Sequence, residues 1–553
     1  MLKPLNQSRN YEHLFSDIDQ GRLKIPKFQR DFVWNKAQTA KLIDSIIKGF
    51  PIGTFIFWKT REELRHVRNI GNAKLPDTPK GEIVSYVLDG QQRITSLYAL
   101  RKGLLISTED KKEINYKDIY IDLTCEPYSD EEIVTVEKME NSISISVSEL
   151  LNSGIGSLVK SYNEHLDNIE IYQNRLKNYD FSIIEISECP IDIACEIFTR
   201  INTSGQELTI FEIMVAKTYD QELDFDLAKR YADIICSEAG EKDLKDAGFD
   251  TIPPSTVLQC ISAHLCQQVR RQDILKLDKY KFIEDWDVVK DGIFCAVDYI
   301  RTYLRIPVSK LLPYNALLVP YSYFFIRNKS KSPTNIQNKL LAQYFWWASL
   351  SSRFSSGAEG KIAIDLKRMD NILNEIPPDY RGEELNITLD KLRWYWFSTG
   401  DAFCKAILCL YVYFEPKSFR SNSIVKIDNS WLKVSTSKNY HHFFPKSYLK
   451  KRGIEEWKGN SILNVTVVDD NLNKHDIGSK APGDYMKKFE EVNPELSTTM
   501  KTHLIDDMEL YGVWDNDYMT YIEKRGERLI EEIKKRLEPD LSTHQLLCLQ
   551  QHI

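Results

Sequence analysis

Along roughly the first 220 residues, short runs of β-branched and aromatic residues alternate with stretches whose apolar positions recur every three or four residues. The runs at 54–58, 83–88, 119–123 and 181–186 read as strands, and the segments between them include helical patterns, which predicts an α/β region. From 221 to 415 the helical period takes over, as in 340–350 and 395–413. After a polar stretch at 417–422, strand-like runs at 423–427 and 465–468 flank a histidine pair, and a charged helix is expected over 515–537. The pattern predicts a multidomain α/β + α chain divided as 1–220, 221–415 and 420–553, in keeping with a length of 553 residues and about 100 to 200 residues per domain.

Composition narrows the class. With 42% hydrophobic and 28% charged residues and only 20 prolines and 23 glycines, the chain is globular rather than disordered or collagen-like. Its apolar stretches at 314–326 and 403–414 are interrupted by Pro320 and Lys405 and fall short of the ~20 residues a membrane span needs. The polar segment 1–10 lacks an apolar leader core, so secretion is not expected. Ten cysteines without a Cys-x-x-Cys spacing read as reduced thiols, pointing to a cytoplasmic protein. A net charge of −7 argues against a protein that coats nucleic acid over its whole surface, so any DNA contact is expected to be local.

The strand at 83–88 runs directly into Asp89, Gly90, Gln91, Gln92 and Arg93, after which Ile94, Leu97, Tyr98 and Arg101 follow helical spacing. Gln91, Gln92 and Arg93 then occupy a first helical turn, where free N–H groups and the helix dipole favour anions. Gly90 allows close backbone approach, Arg93 can fork onto phosphate oxygens, and Asp89 can cap the helix or hold a metal-bound water. A capped helix start with an exposed arginine accounts for the same residues without any ligand. A second polar element, Ile25-Pro26-Lys27-Phe28-Gln29-Arg30, precedes a helix expected to start at Asn35 and end at Gly49. A third, Phe198-Thr199-Arg200-Ile201-Asn202-Thr203-Ser204-Gly205, ends a helix, with Thr209 and Glu212 forming a capping box for the next.

Together these three elements resemble the N-terminal ParB/sulfiredoxin-like domain of the GmrSD and SspE group of modification-dependent restriction enzymes. The segment Trp346-Trp347-Ala348-Ser349-Leu350 through Gly357 is similar to that group's helical region. The resemblance implies an NTP-binding and NTP-hydrolysing sensor domain, taking GTP, ATP or another nucleoside triphosphate. Its phosphate site would be Asp89, Gly90, Gln91, Gln92 and Arg93, with Gln29 and Arg30 also on the nucleotide. The chain contains no Gly-x-x-x-x-Gly-Lys-Ser/Thr segment that could serve as a P-loop instead.

Histidine occurs only ten times, yet His441 and His442 are adjacent. From 438 to 452 there are five Lys or Arg and no acid, which makes Lys446, Lys450, Lys451 and Arg452 a local phosphate-binding patch. Hydrolysing a phosphodiester requires a base that deprotonates water and a cation that stabilises the charged phosphate. Adjacent histidines on a strand point to opposite sides and can divide those tasks; an exposed pair in a basic loop is the structural alternative. With Pro445, Lys446, Ser447 and two later asparagines, the segment resembles the C-terminal HNH (His-Me finger) nuclease domain, a ββα-metal fold with flanking helices. That resemblance implies His441 as metal ligand, His442 as general base, Asn464 as the residue positioning the base and Asn473 as second metal ligand, with His475 competing for the last role. The metal expected is Mg2+ or Mn2+.

The resulting expectation is a cytoplasmic anti-phage enzyme whose nucleotide-binding sensor controls metal-dependent HNH cleavage or nicking of DNA, with modified phage DNA as the expected substrate and a homo-oligomer as one option for its assembly. Its rivals are a nucleotide-switched, ParB-like DNA-binding protein with an inactive HNH module, and a toxin-like RNase.

Overall fold

The computed structural model describes the chain except residues 1–2, 27–31, 33, 62–63, 65–69, 71–72, 79–80, 108–112, 127–131, 139–142, 188, 202–208, 221, 382, 384, 386, 430–439, 469–476 and 539–553, and the side chains of 155, 192 and 199. Gln29, Arg30, Asn473, His475 and the turn after Ile201 fall outside the described residues. The chain divides into two compact units, Met1–Asp226 and Leu227–Ile553.

The first unit is built on a five-stranded mixed sheet in the spatial order Leu5–Asn10, Asp180–Ser187, Phe55–Thr60, Val84–Asp89 and Leu23–Lys24. Asp180–Ser187 pairs antiparallel with Leu5–Asn10 and parallel with Phe55–Thr60, whose other neighbour, Val84–Asp89, is antiparallel. Helices Tyr11–Asp19, Lys36–Ile47, Gln91–Lys102 and Leu166–Lys177 contribute to its core. Local sequence starts several of them: the Asn10 side chain accepts from the N–H of His13, and Asn35 with Gln38, like Thr209 with Glu212, forms a reciprocal capping box. Tyr11, Leu14, Phe15 and Ile18 then give the first helix one buried face at the expected spacing.

In the second unit, Trp286–Thr302, Leu318–Arg327, Asn335–Leu350, Ala358–Leu373 and Ala402–Tyr413 form a helical core with Tyr518–Leu537. The expected helix over 395–413 begins only at Ala402. Trp396 instead forms an antiparallel bridge with Ser461, and Asp401 caps the helix by accepting from the Cys404 N–H. Residues 423–427 likewise contribute only an isolated bridge, Lys417 to Ile424, rather than a strand. A short hairpin pairs Tyr440–His442 with Val465–Val467.

This hairpin shares the packed interior of the helical region. Tyr411, on Ala402–Tyr413, donates its hydroxyl to the Ile462 carbonyl. Arg525, on Tyr518–Leu537 and almost fully buried, donates to the carbonyls of Leu463, Val465 and His503. Its guanidinium lies 4.6 Å from the centre of the Tyr411 ring. A buried cation satisfied by strand carbonyls ties the hairpin's second strand to the last helix.

Candidate functional site

In the first unit, the strand Val84–Asp89 ends in a bulge. Ile56 pairs with Asp89 and Phe57 with Val87, leaving Leu88 as the extra residue immediately before the turn. Gly90 occupies the helix N-cap position at φ 92°, and no side chain caps the helix. An added Cβ there would stand 2.2 Å from the Phe55 ring, so both conformation and space require glycine. Gln91 and Gln92 are buried in the first turn.

Arg93 folds back over Phe55, its guanidinium carbon 4.8 Å from the ring centre. It donates to the carbonyls of Ile52 and Thr54 at 2.7 and 3.0 Å and to the Asp89 carboxylate at 3.3 Å. Burial pushes its pKa down while Asp89 opposes the shift. Three of its five N–H donors are thus engaged, two by the segment leading into the Phe55–Thr60 strand and one by Asp89. Asp89 accordingly pairs with Arg93 instead of capping the helix. The structure brings Asp89, Gly90, Gln91, Gln92 and Arg93 together as one compact corner.

In the second unit, His441 pairs across the hairpin with Thr466, and His442 with Val465. His441 is buried whereas His442 keeps partial solvent access, consistent with their alternation along the strand. His442 Nε2 lies 2.9 Å from Asn460 Oδ1, and Asn460 Nδ2 donates to the Phe397 carbonyl at 3.0 Å. That second bond sets the amide's orientation, so the oxygen facing His442 accepts a hydrogen bond from Nε2–H. Nδ1 is left as the basic nitrogen. Burial pushes the His442 pKa down to about 4; the Asn460 hydrogen bond raises it and the Lys446 charge lowers it. The ring is therefore neutral at neutral pH and able to take up a proton.

Asn464 does not hydrogen-bond His442 directly. Its side chain accepts from the Phe444 N–H and donates to the carbonyls of Phe444 and Gly459, while its own carbonyl accepts from the Phe443 N–H. It fastens the two residues after His442 to the segment bearing Asn460. Phe443 stacks on Tyr521 at 4.9 Å, and Phe444 packs on Tyr518. On the face of Thr466, its hydroxyl lies 2.8 Å from His503 Nδ1, and His503 Nε2 lies 2.8 Å from the Lys417 carbonyl. The carbonyl can only accept, so Nε2 carries the proton and Nδ1 accepts from Thr466.

Lys446, Lys450 and Lys451 lie on the helix Lys446–Lys451, with Arg452 at its end. Lys446, Ser447, Lys450, Glu455, Glu456 and Gly459 line a cavity of about 460 Å3 bordering the Asn460 segment. No group of three or more His, Cys, Asp or Glu side chains suited to a metal gathers among the described residues.

Residues 11–219 match the family model for the GmrSD restriction endonuclease N-terminal domain. The match supports the GmrSD-type restriction endonuclease family. It spans the corner around Arg93 and four of the five strands of the sheet that presents it. The chain is also 23% identical to the uncharacterized protein MJ0686 of Methanocaldococcus jannaschii, over 96% of this chain and 98% of the relative. The likeness thus extends through the histidine hairpin, beyond the GmrSD N-terminal match. No helix among the described residues is long and apolar enough to cross a membrane.

Two residues central to the hairpin escaped the sequence reading. Asn460 stands 18 positions from His442, and its only visible signal is a second asparagine four residues before Asn464. Arg525 sits in a highly charged helix and looks like a surface cation until its neighbours are known.

Proposed function

We propose that the chain is a restriction enzyme in which a nucleotide-binding N-terminal unit controls hydrolysis of DNA at the His442 hairpin. The observation that supports the nuclease assignment best is the Asn460 hydrogen bond, which fixes the His442 tautomer and leaves Nδ1 to accept a proton from an attacking water. Asn464 holds the strand end that carries His442. Lys446, Lys450, Lys451 and Arg452 draw the phosphate backbone to it.

His441 would contribute one imidazole to a divalent metal, with Asn473 as a second ligand; Mg2+ or Mn2+ accepts such a nitrogen and carboxamide-oxygen donor set when water completes the site. When bound, the metal supplies positive charge for the phosphate and leaving oxygen. In the N-terminal unit the helix start at Gly90 offers backbone N–H groups to NTP phosphates, with Asp89, Gln91, Gln92, Arg93, Gln29 and Arg30 as the nucleotide-binding set. Because Arg93 already binds Ile52 and Thr54, its first contribution is to shape this corner.

The deciding experiment is cleavage of modified and unmodified phage DNA by purified protein with Mg2+ or Mn2+, with and without each nucleotide. Metal-dependent cutting lost in His442→Ala supports the reading. DNA binding without any cutting favours a nucleotide-switched binding protein.

A further inference from the structure

Two tryptophans beside the hairpin have no role in the chemistry assigned to His442. Trp396 and Trp457 are 49% and 45% exposed, although tryptophan is ordinarily among the more buried side chains. Their positions are set by the residues that hold the imidazole. Trp396 directly precedes Phe397, whose ring is 6.2 Å from that of His442, and its own backbone bridges to Ser461. Trp457 lies on Glu456–Gly459, three residues before Asn460.

The Trp457 ring is also oriented. Its ring meets that of Trp394 edge to face at 5.8 Å. Lys458 Nζ stands 5.0 Å from the ring centre and binds Glu455 at 2.9 Å. Glu455 is thus engaged locally. The nearby helix carries Lys446, Lys450 and Lys451, and the whole segment 438–452 is without acid in a chain of net charge −7.

Cations that attract phosphates beside flat aromatic faces match a polymer that carries both anionic groups and planar bases. We propose that Trp396 and Trp457 form a stacking surface for nucleobases of the DNA strand presented to His442. This rests on the nuclease reading and deepens it, because the strand must offer an unstacked base there. Stacking carries little salt dependence, whereas lysine contacts with phosphate set the salt slope.

The test uses the full chain carrying His442→Ala, so that DNA stays intact, and fluorescence anisotropy with labelled single-stranded and duplex oligonucleotides over a range of salt. Trp396→Ala and Trp457→Ala are expected to weaken binding by about tenfold each with an unchanged salt slope. Trp396→Phe and Trp457→Phe should retain most of the affinity, and Lys450→Ala should flatten the slope. Sedimentation of the same variants reports self-association, and cleavage by the chain with His442 intact is measured in parallel. DNA cutting and parental affinity in both alanine variants overturn the stacking surface while leaving the nuclease reading in place. A change in assembly state with no change in DNA affinity overturns it in favour of a second copy of the chain on this face. If the intact chain neither binds nor cuts DNA, the nuclease reading fails and the stacking surface fails with it.

Discussion

Arg93 follows the end of one strand and His442 ends another in their respective units, and each is bonded to a neighbouring segment, yet those bonds leave different chemistry available. Arg93 donates to two carbonyls of the segment leading into the Phe55–Thr60 strand and to a carboxylate of its own turn, with the ring of Phe55 below it. His442 makes a hydrogen bond with Asn460 through one nitrogen, leaving the other basic. A guanidinium offers only donors, so each internal acceptor reduces what remains for a ligand; an imidazole held through one nitrogen is oriented by that bond. The contrast distinguishes a residue that builds a site from one that can react.

The strongest challenge to that contrast is His442→Ala, expected to lower DNA cleavage by about 10² to 10⁴-fold with unchanged thermal unfolding. Near-parental cutting would remove the reactive half of the comparison. Arg525→Ala should destabilise the second unit by roughly 3 kcal/mol, because it strips a donor from buried carbonyls of the hairpin's second strand. Denaturant unfolding checks this, and a change below about 1 kcal/mol would show that the strand is held by packing alone.

In the first unit, Gly90→Ala should cost about 2 kcal/mol or more, combining a left-handed backbone with a clash against Phe55. Arg93→Lys keeps the charge but loses the planar fork, and should cost about 1 kcal/mol in unfolding experiments. Nucleotide affinity measured below the unfolding transition then sharpens the contrast. A stable Arg93→Lys protein that no longer binds NTP would show that Arg93 acts on the ligand directly as well as on the turn.

A further effect depends on pH. Burial pushes the His503 pKa down to about 4 from 6.5; the Lys417 carbonyl opposes the shift and the Arg525 charge adds to it. As pH falls, the unfolded chain takes up this proton first. The stabilising contribution is complete above about pH 6.5 and is lost progressively toward pH 4, amounting to roughly 3 kcal/mol across the window and only a fraction of that near pH 6. His503→Gln should reduce the slope of the unfolding free energy between those pH values, with His442, also pushed down to about 4, keeping its own share. An unchanged profile would place the pH-sensitive group elsewhere.

Much of the local structure was legible in the chain. Asn35, Thr209 and the run before Asp89 announce their helices and strand through capping chemistry and β-branched content, which act over a few residues. The start of the helix at Ala402 has a local signal in Gly400 and the capping Asp401, but the route of 395–397 was not legible. The Trp396–Ser461 bridge joins residues 65 positions apart, a pairing that helical spacing cannot reveal.

At the two candidate sites, residue types and their order were set by sequence: a glycine where the backbone turns left-handed, an arginine three positions later, and two histidines whose alternation sends one inward and one toward solvent. Tertiary structure decided which of their atoms remain available. Ile52 and Thr54 reach Arg93 across about 40 positions, Asn460 reaches His442 across 18, and Arg525 reaches the hairpin across about 60. Hydrogen-bonding capacity belongs to the residue and can be read from the chain, whereas its use depends on neighbours delivered by packing.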